Sequence, residues 1–149
     1  VSGDEPYATH NPVVLLLVIG FGVIATGFLV LYGVLLLIRA CRTKGDRPMV
    51  KAAASLAWAA TVGMYTWGTL HLFLLDDYAL AQECRAAVGG RLTGYEPSFI
   101  PLHFGCRTSD GRTIEAVIPA YVNPSVLGLG LLAIAFTATL MTLPKEELQ

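Results

Sequence analysis

VVLLLVIGFGVIATGFLVLYGVLLLI, residues 13–38, contains no charged side chain. A hydrocarbon core about 30 Å thick is crossed by roughly 20 residues of α-helix, so this run is long enough to span one. Backbone in lipid must satisfy its own hydrogen bonds, which makes a helix the expected form. Two further runs, 52–75 and 122–143, are also free of Asp, Glu, Lys and Arg. Three such runs in a chain of 149 residues leave too little polar sequence to cover them as core helices of a soluble domain. The composition agrees. Only 14% of residues are charged, against about 25% in soluble proteins, and mean hydropathy is +0.60.

The residues before the first run, VSGDEPYATHNP, carry Asp4 and Glu5 but no Lys or Arg. A secretory signal begins with a basic segment and has a shorter apolar stretch, so the first run reads as a retained membrane helix. Sidedness follows from the basic residues. RACRTKGDRPMVK, residues 39–51, holds Arg39, Arg42, Lys44, Arg47 and Lys51 against Asp46 alone. Positive charge near helix ends stays on the cytoplasmic side. The expected organisation is an outer N-terminal arm (1–12), helix 13–38, a basic inner loop (39–51), helix 52–75, an outer subdomain (76–121), helix 122–143 and an inner tail (144–149). The expected class is therefore a mainly α, multi-pass protein of the cell membrane, N-terminus outside and C-terminus inside. Asn11-Pro12 and Asn123-Pro124 open the two helices expected to start on the outer face, Asn as cap and Pro as first helical residue.

Cysteine placement fits that topology. Cys41 falls on the reducing side, just past the first run, and reads as a free interfacial thiol, with palmitoylation as the other use. Cys84 and Cys106 both fall outside, where disulfides persist. They are expected to pair, holding together a segment too small to build a secure core alone.

HFGCRTSDGRTIEA, residues 103–116, then reads as part of a β-hairpin spanning 99–118. Ile100, Leu102, Phe104 and Cys106 alternate onto one face, and so do Ile114, Ala116 and Ile118. A three-residue loop Ser109-Asp110-Gly111, with Gly111 left-handed, sets Cys106 opposite Ile114, Phe104 opposite Ala116 and Leu102 opposite Ile118. Pro101 and Pro119 limit the strands. DDYALAQECRAAVGG suggests a short helix, 77–88, capped by Asp76 or Asp77 and ended by Gly89-Gly90. Leu80, Cys84, Ala87 and Val88 would share its buried face. GGRLTGYEP reads as a flexible loop with Tyr95 near its exposed part.

Small residues allow close helix packing in lipid. Gly20 and Gly27 on the first helix, Ala53 and Ala57 on the second, and Gly130 and Ala138 on the third are the candidate packing positions. They serve either the three helices or a partner. Trp67 and His71 lie four apart near the outer end of the second helix. With Tyr95, His103 and Arg107, they are the candidate contacts for a partner or ligand.

The sequence offers little for catalysis. The histidines, His10, His71 and His103, are scattered over three segments, and no C-x-x-C, G-x-S-x-G, H-E-x-x-H or P-loop occurs. No catalytic residue, metal ligand or cofactor is assigned, and the balance leans against an enzyme. A net charge of −1 and the lack of an outer basic patch argue against nucleic acid. The first expectation is a non-catalytic membrane protein whose outer subdomain and small-residue faces bind another protein. It would serve as an accessory subunit of a membrane complex or as an immunity or regulatory protein. The alternatives are a homo-oligomeric transport or channel component, and a membrane enzyme using the outer His71, His103 and Asp76 region.

Overall fold

The computed structural model describes residue 7 and residues 9–75 and 77–144. Most of the expected N-terminal arm, Asp76 and the tail beyond Pro144 lie outside these residues. In chain order the elements are α1 (Pro12–Thr43), α2 (Asp46–Leu74), α3 (Asp77–Val88), β1 (Leu92–Phe99), β2 (Leu102–Thr108), β3 (Thr113–Glu115) and α4 (Val122–Thr142). The chain is mostly helical, with one small antiparallel sheet of order β1-β2-β3.

Among the described residues two helices, not three, are long and apolar enough to cross a membrane: α1 and α4. The second run falls short because Thr61, Tyr65, Thr66, Trp67, Thr69 and His71 dilute its aliphatic content, although no formal charge interrupts it. A core helix of a soluble protein is mostly covered by its own chain. Here only 11% of the most apolar window of α1, and 6% of that of α4, is buried.

The chain divides into two compact units. One comprises Gly22–Met64 and the described residues from Pro124 onward. The basic segment 39–51 is not a loop. α1 runs on through Arg39 and Arg42, and α2 begins at Asp46, leaving a turn of Lys44 and Gly45. Arg, Ala and Lys are good helix formers, so charge ends the apolar run without ending the helix. Lys44 takes a left-handed φ of 51° to make the turn. Arg47 then donates to the carbonyl oxygens of Leu143 (3.5 Å) and Pro144 (2.7 Å), a cation at the negative end of α4.

Within this unit α1 and α2 run antiparallel. Gly33 faces Leu56, whose side chain a Cβ would meet at 2.9 Å, and Gly63 faces Thr26, met at 3.4 Å. Ser55 Oγ donates to the carbonyl of Leu29 at 2.8 Å. α4 is fixed by Trp58 Nε1, which donates to Thr137 Oγ1 at 3.2 Å. Of the expected packing residues, Ala57 is buried and Ala53 half-buried, and Gly130 faces Thr61. Ala138 is exposed, and no atom lies within 4 Å of a Cβ built on Gly27 or, earlier in the same helix, on Gly20. The close contacts of α1 fall instead at Gly33 and Thr26.

The other unit comprises the described residues of Val1–Phe21 together with Tyr65–Asn123. Its sheet has one more strand than expected. GGRLTGYEP is not a flexible loop: after a 3-10 turn at Gly89–Arg91 it becomes β1, which pairs with β2 with a register shift between Leu92 and Gly94. Tyr95, Pro97 and Phe99 of β1 stand opposite Cys106, Phe104 and Leu102, so these six share the inner face. Leu102, Phe104 and Cys106 are fully buried. The expected register of Cys106 opposite Ile114 holds. Thr108 and Arg112 close the loop, with Gly111 at φ +76°. β3 ends at Glu115, so the expected pairs Phe104–Ala116 and Leu102–Ile118 do not form part of the ladder. Ile114 is exposed rather than buried.

α3 lays Leu80, Cys84 and Val88 inward, and Gly89 follows it at φ +65°. Ala87, expected on the same face, is exposed. Cys84 and Cys106 are disulfide-bonded, their Cα atoms 5.6 Å apart, and both are fully buried. Asn11 caps α1, its Oδ1 accepting from the Val13 amide at 2.9 Å. Asn123 does not cap α4. The helix begins one residue earlier, and the Asn123 side-chain amide donates to the carbonyl of Leu102 at 2.8 Å. Gly68 makes that approach feasible, since a Cβ there would stand 2.8 Å from both Leu102 and Val122.

Replacing Gly68 with Val is expected to destabilise the unit by about 1–3 kcal/mol, as overpacking of a filled core does. Gly128→Val, where no atom lies within 4 Å, serves as the tolerated control in thermal unfolding. The disulfide closes a separation of 22 residues. In the chain-entropy model, a Cys84→Ser, Cys106→Ser double variant is expected to lose about 3 kcal/mol in urea unfolding of this unit.

Candidate functional site

The inner face of the sheet is spent on packing, so the chemistry-bearing side chains lie on the outer face. Ser98 stands opposite His103, Glu96 opposite Gly105, and Gly105 in turn opposite Glu115. Arg107 lies opposite both Gly94 and Thr113. Strand alternation thus gathers Glu96, His103, Arg107, Thr113 and Glu115 around a central glycine. A Cβ at Gly105 would overlap the Thr113 methyl group and the His103 ring, so the glycine makes room for the ring to lie across β2.

The polar contacts of this face are mutual. Thr113 Oγ1 donates to Glu96 Oε2 at 2.8 Å, and Arg107 Nη2 lies 3.6 Å from the same oxygen. His103 Nδ1 is 3.7 Å from Glu115 Oε1, close enough for attraction when the ring is protonated but too long for a hydrogen bond. Arg91 pairs with Asp110 at 3.2 Å nearer the β2–β3 turn. Exposed pairs of this kind add little stability. Their effect is to hold alternating charge in a fixed pattern on a disulfide-held sheet.

His10 sits on the other side. It is buried, its Nε2 lies 3.1 Å from the carbonyl oxygen of Ser98, and its ring packs edge-on to Phe99 at 4.6 Å. Because a carbonyl only accepts, Nε2 carries the proton. Burial pushes the His10 pKa down. The Ser98 carbonyl opposes that shift, and the charge of His103 adds to it. A hollow of about 310 Å³ beside it is lined by His10, Leu15, Leu72, Phe73, Leu80 and Phe104, among others. A second, more open hollow of about 610 Å³ is lined by Tyr7, Arg85, Gly89, Gly90 and Tyr95.

The candidate contacts named from sequence are dispersed among these features. His103 and Arg107 belong to the outer face. Tyr95 is half-buried on the inner face, its ring 5.3 Å from Phe104. Trp67 is exposed, and its indole N–H donates to the Tyr121 hydroxyl at 3.4 Å. His71 is half-buried in the last turn of α2. Among the described residues, no group of three His, Cys, Asp or Glu side chains is placed to hold a metal ion. Glu96 joins this group through β1, whose strand character the sequence does not announce, whereas Thr113 and Glu115 follow from the β2–β3 hairpin register. Cys41 is an exposed free thiol.

No protein-family model, curated protein or solved structure matches the chain. Its function is therefore argued from these surfaces alone.

The sign of the His10 effect is testable. Its folded-state pKa lies below the ordinary value of 6.5. The unfolded chain therefore binds the proton more readily, and the His10 contribution is complete above pH 6.5. It is lost as pH falls from there toward the folded-state pKa. Between pH 7.5 and 5.5 the thermal midpoint is expected to fall further in the wild type than in His10→Phe, which fills the site without titrating.

Proposed function

We propose that this is a non-catalytic multi-pass membrane protein whose sheet-bearing unit binds a partner protein on the outer side of the membrane. The observation that carries the membrane reading is the apolar surface left uncovered along α1 and α4. Leu17 (68%), Phe21 (78%) and Ile24 (73%) are largely exposed on α1, as are Leu127 (66%) and Met141 (81%) on α4. A soluble monomer rarely leaves contiguous apolar patches larger than a few hundred Å². α2 is taken as a third span. It is bound to α1 by a two-residue turn, and beyond Lys51 its polar residues are Ser, Thr, Tyr, Trp and one His. With the basic residues around that turn inside, the N-terminus lies outside and the C-terminus inside.

The fixed charge pattern of the outer sheet face supports the binding role. Glu96, Arg107, His103 and Glu115 are presented by a sheet whose inner face is buried and cross-linked, so little ordering cost attends their contacts. A partner with complementary charge at this face fits an accessory or regulatory subunit. The open space around Gly20 and Gly27 favours a second reading, in which small-residue faces of α1 pair copies of this chain.

Two measurements test this. In intact cells, a membrane-impermeant maleimide is expected to label Ser109→Cys and to spare Cys41; the reverse pattern overturns the sidedness. Purification in mild detergent is expected to retain a foreign protein in fixed stoichiometry, which Arg107→Glu releases without altering unfolding. A homo-oligomer that survives Arg107→Glu but dissociates in Gly27→Leu replaces the partner reading with the second one.

A further inference from the structure

The tight turn between β1 and β2 combines three properties that rarely meet. It is apolar, Phe99-Ile100-Pro101-Leu102, with a cis Ile100–Pro101 bond. Its tip is bare, since Ile100 is 90% exposed. It is also held against a helix: Tyr65 of α2 donates its hydroxyl to the Phe99 carbonyl at 2.7 Å, and Leu102 packs on Gly68.

These anchors fix how far along α2 the turn sits. Leu72 and Leu15 line the same hollow, so the start of α1 lies level with Leu72. Tyr65 is seven residues earlier, about 10 Å further along the axis. Helical side chains lean toward the N-terminus, which for Tyr65 carries its hydroxyl further still. Because α1 and α2 are antiparallel, this is the direction in which α1 enters its apolar run. Val13, Leu16 and Leu17, exposed on α1, mark where uncovered apolar surface begins. The β1–β2 turn therefore lies at or below the level at which α1 becomes greasy on its outside. Trp67, which lies between Tyr65 and Gly68 on α2, is exposed and hydrogen-bonded to the exposed Tyr121. Trp and Tyr are the side chains that concentrate at the membrane–water boundary.

We infer that the β1–β2 turn inserts Ile100 and Pro101 into the interfacial layer of the bilayer, so that the sheet is anchored to lipid as well as to its helices. This rests on the membrane reading above. The occupant is lipid rather than protein because the turn shares its level with exposed aliphatic helix surface and with an aromatic pair. The polar outer face, suited to a protein partner, lies on the strands and not on the turn. The charged and polar tip at Ser109-Asp110-Gly111 lies at the opposite end of β2, roughly 20 Å away.

The test uses the full chain in a Cys41→Ser background, reconstituted in phosphatidylcholine vesicles. An environment-sensitive fluorophore is placed in turn at Ile100→Cys, Ser109→Cys and Ile24→Cys. Ile100 contacts so little that the label displaces no packed neighbour. The label at 100 is expected to be quenched by a nitroxide carried near the lipid headgroup. Quenching of that label by aqueous iodide is expected to be several-fold weaker than at 109. The label at 24 should respond only to nitroxides deep in the acyl region. If 100 behaves like 109 while 24 is quenched by lipid, the insertion is overturned and the membrane reading stands. If 24 is also open to iodide, the membrane reading fails and takes the insertion with it.

Discussion

The close approach at Gly68 is the constraint on which the sheet-bearing unit depends. Leu102 and Val122 converge there with no exposed surface, in a gap that admits no Cβ. Two hydrogen bonds flank the contact, from Tyr65 to the Phe99 carbonyl and from Asn123 to the Leu102 carbonyl. Both bring a side-chain donor to a backbone carbonyl at the closed end of the β1–β2 hairpin. A side chain at position 68 would push the turn outward and break both. The polar residues that make α2 less apolar than its neighbours include the group that performs this fixing, Tyr65.

From that anchor the sheet divides its labour by alternation. Tyr95, Pro97, Phe99, Leu102, Phe104 and Cys106 face inward, where α3 and His10 cover them. The disulfide sits near the far end of the same face, so the sheet is secured at both ends: by packing at the turn and by a covalent bond toward α3. The outward set is polar and paired within itself. Its exposed ion pairs contribute little to stability.

Much of this was legible in the sequence, and the failures have physical causes. The left-handed Gly111 and the Cys106–Ile114 register follow from local spacing, while the pairing of Cys84 with Cys106 is expected from the sidedness that sets Cys41 apart. β1 was hidden because Gly94, Glu96 and Pro97 are poor strand formers. Its inward alternation of Tyr95, Pro97 and Phe99 is only recognisable once β2 supplies a partner. The expected helix bounds at Ile38 and Ala52 give way to Thr43 and Asp46 because an apolar run marks solvent preference, whereas the helix continues until a turn residue stops it. Gly20 and Gly27 were plausible packing positions by composition. Which glycine meets a neighbour, however, depends on helix rotation, which sets Gly33 against Leu56 and Gly63 against Thr26. The outer-face group combined both difficulties: His103 and Arg107 were visible, but Glu96 joins them only across a strand not recognised.

The hydrogen bond between His10 and Ser98 joins positions 88 residues apart. A ribosome delivers the first of these long before the second. The Ser98 carbonyl therefore reaches His10 only after α2, α3 and β1 have been translated, so the unit is completed from its two ends rather than grown outward from its start. A nascent chain halted after α2 offers His10 the apolar wall of Leu72 and Phe73 but not the Ser98 carbonyl.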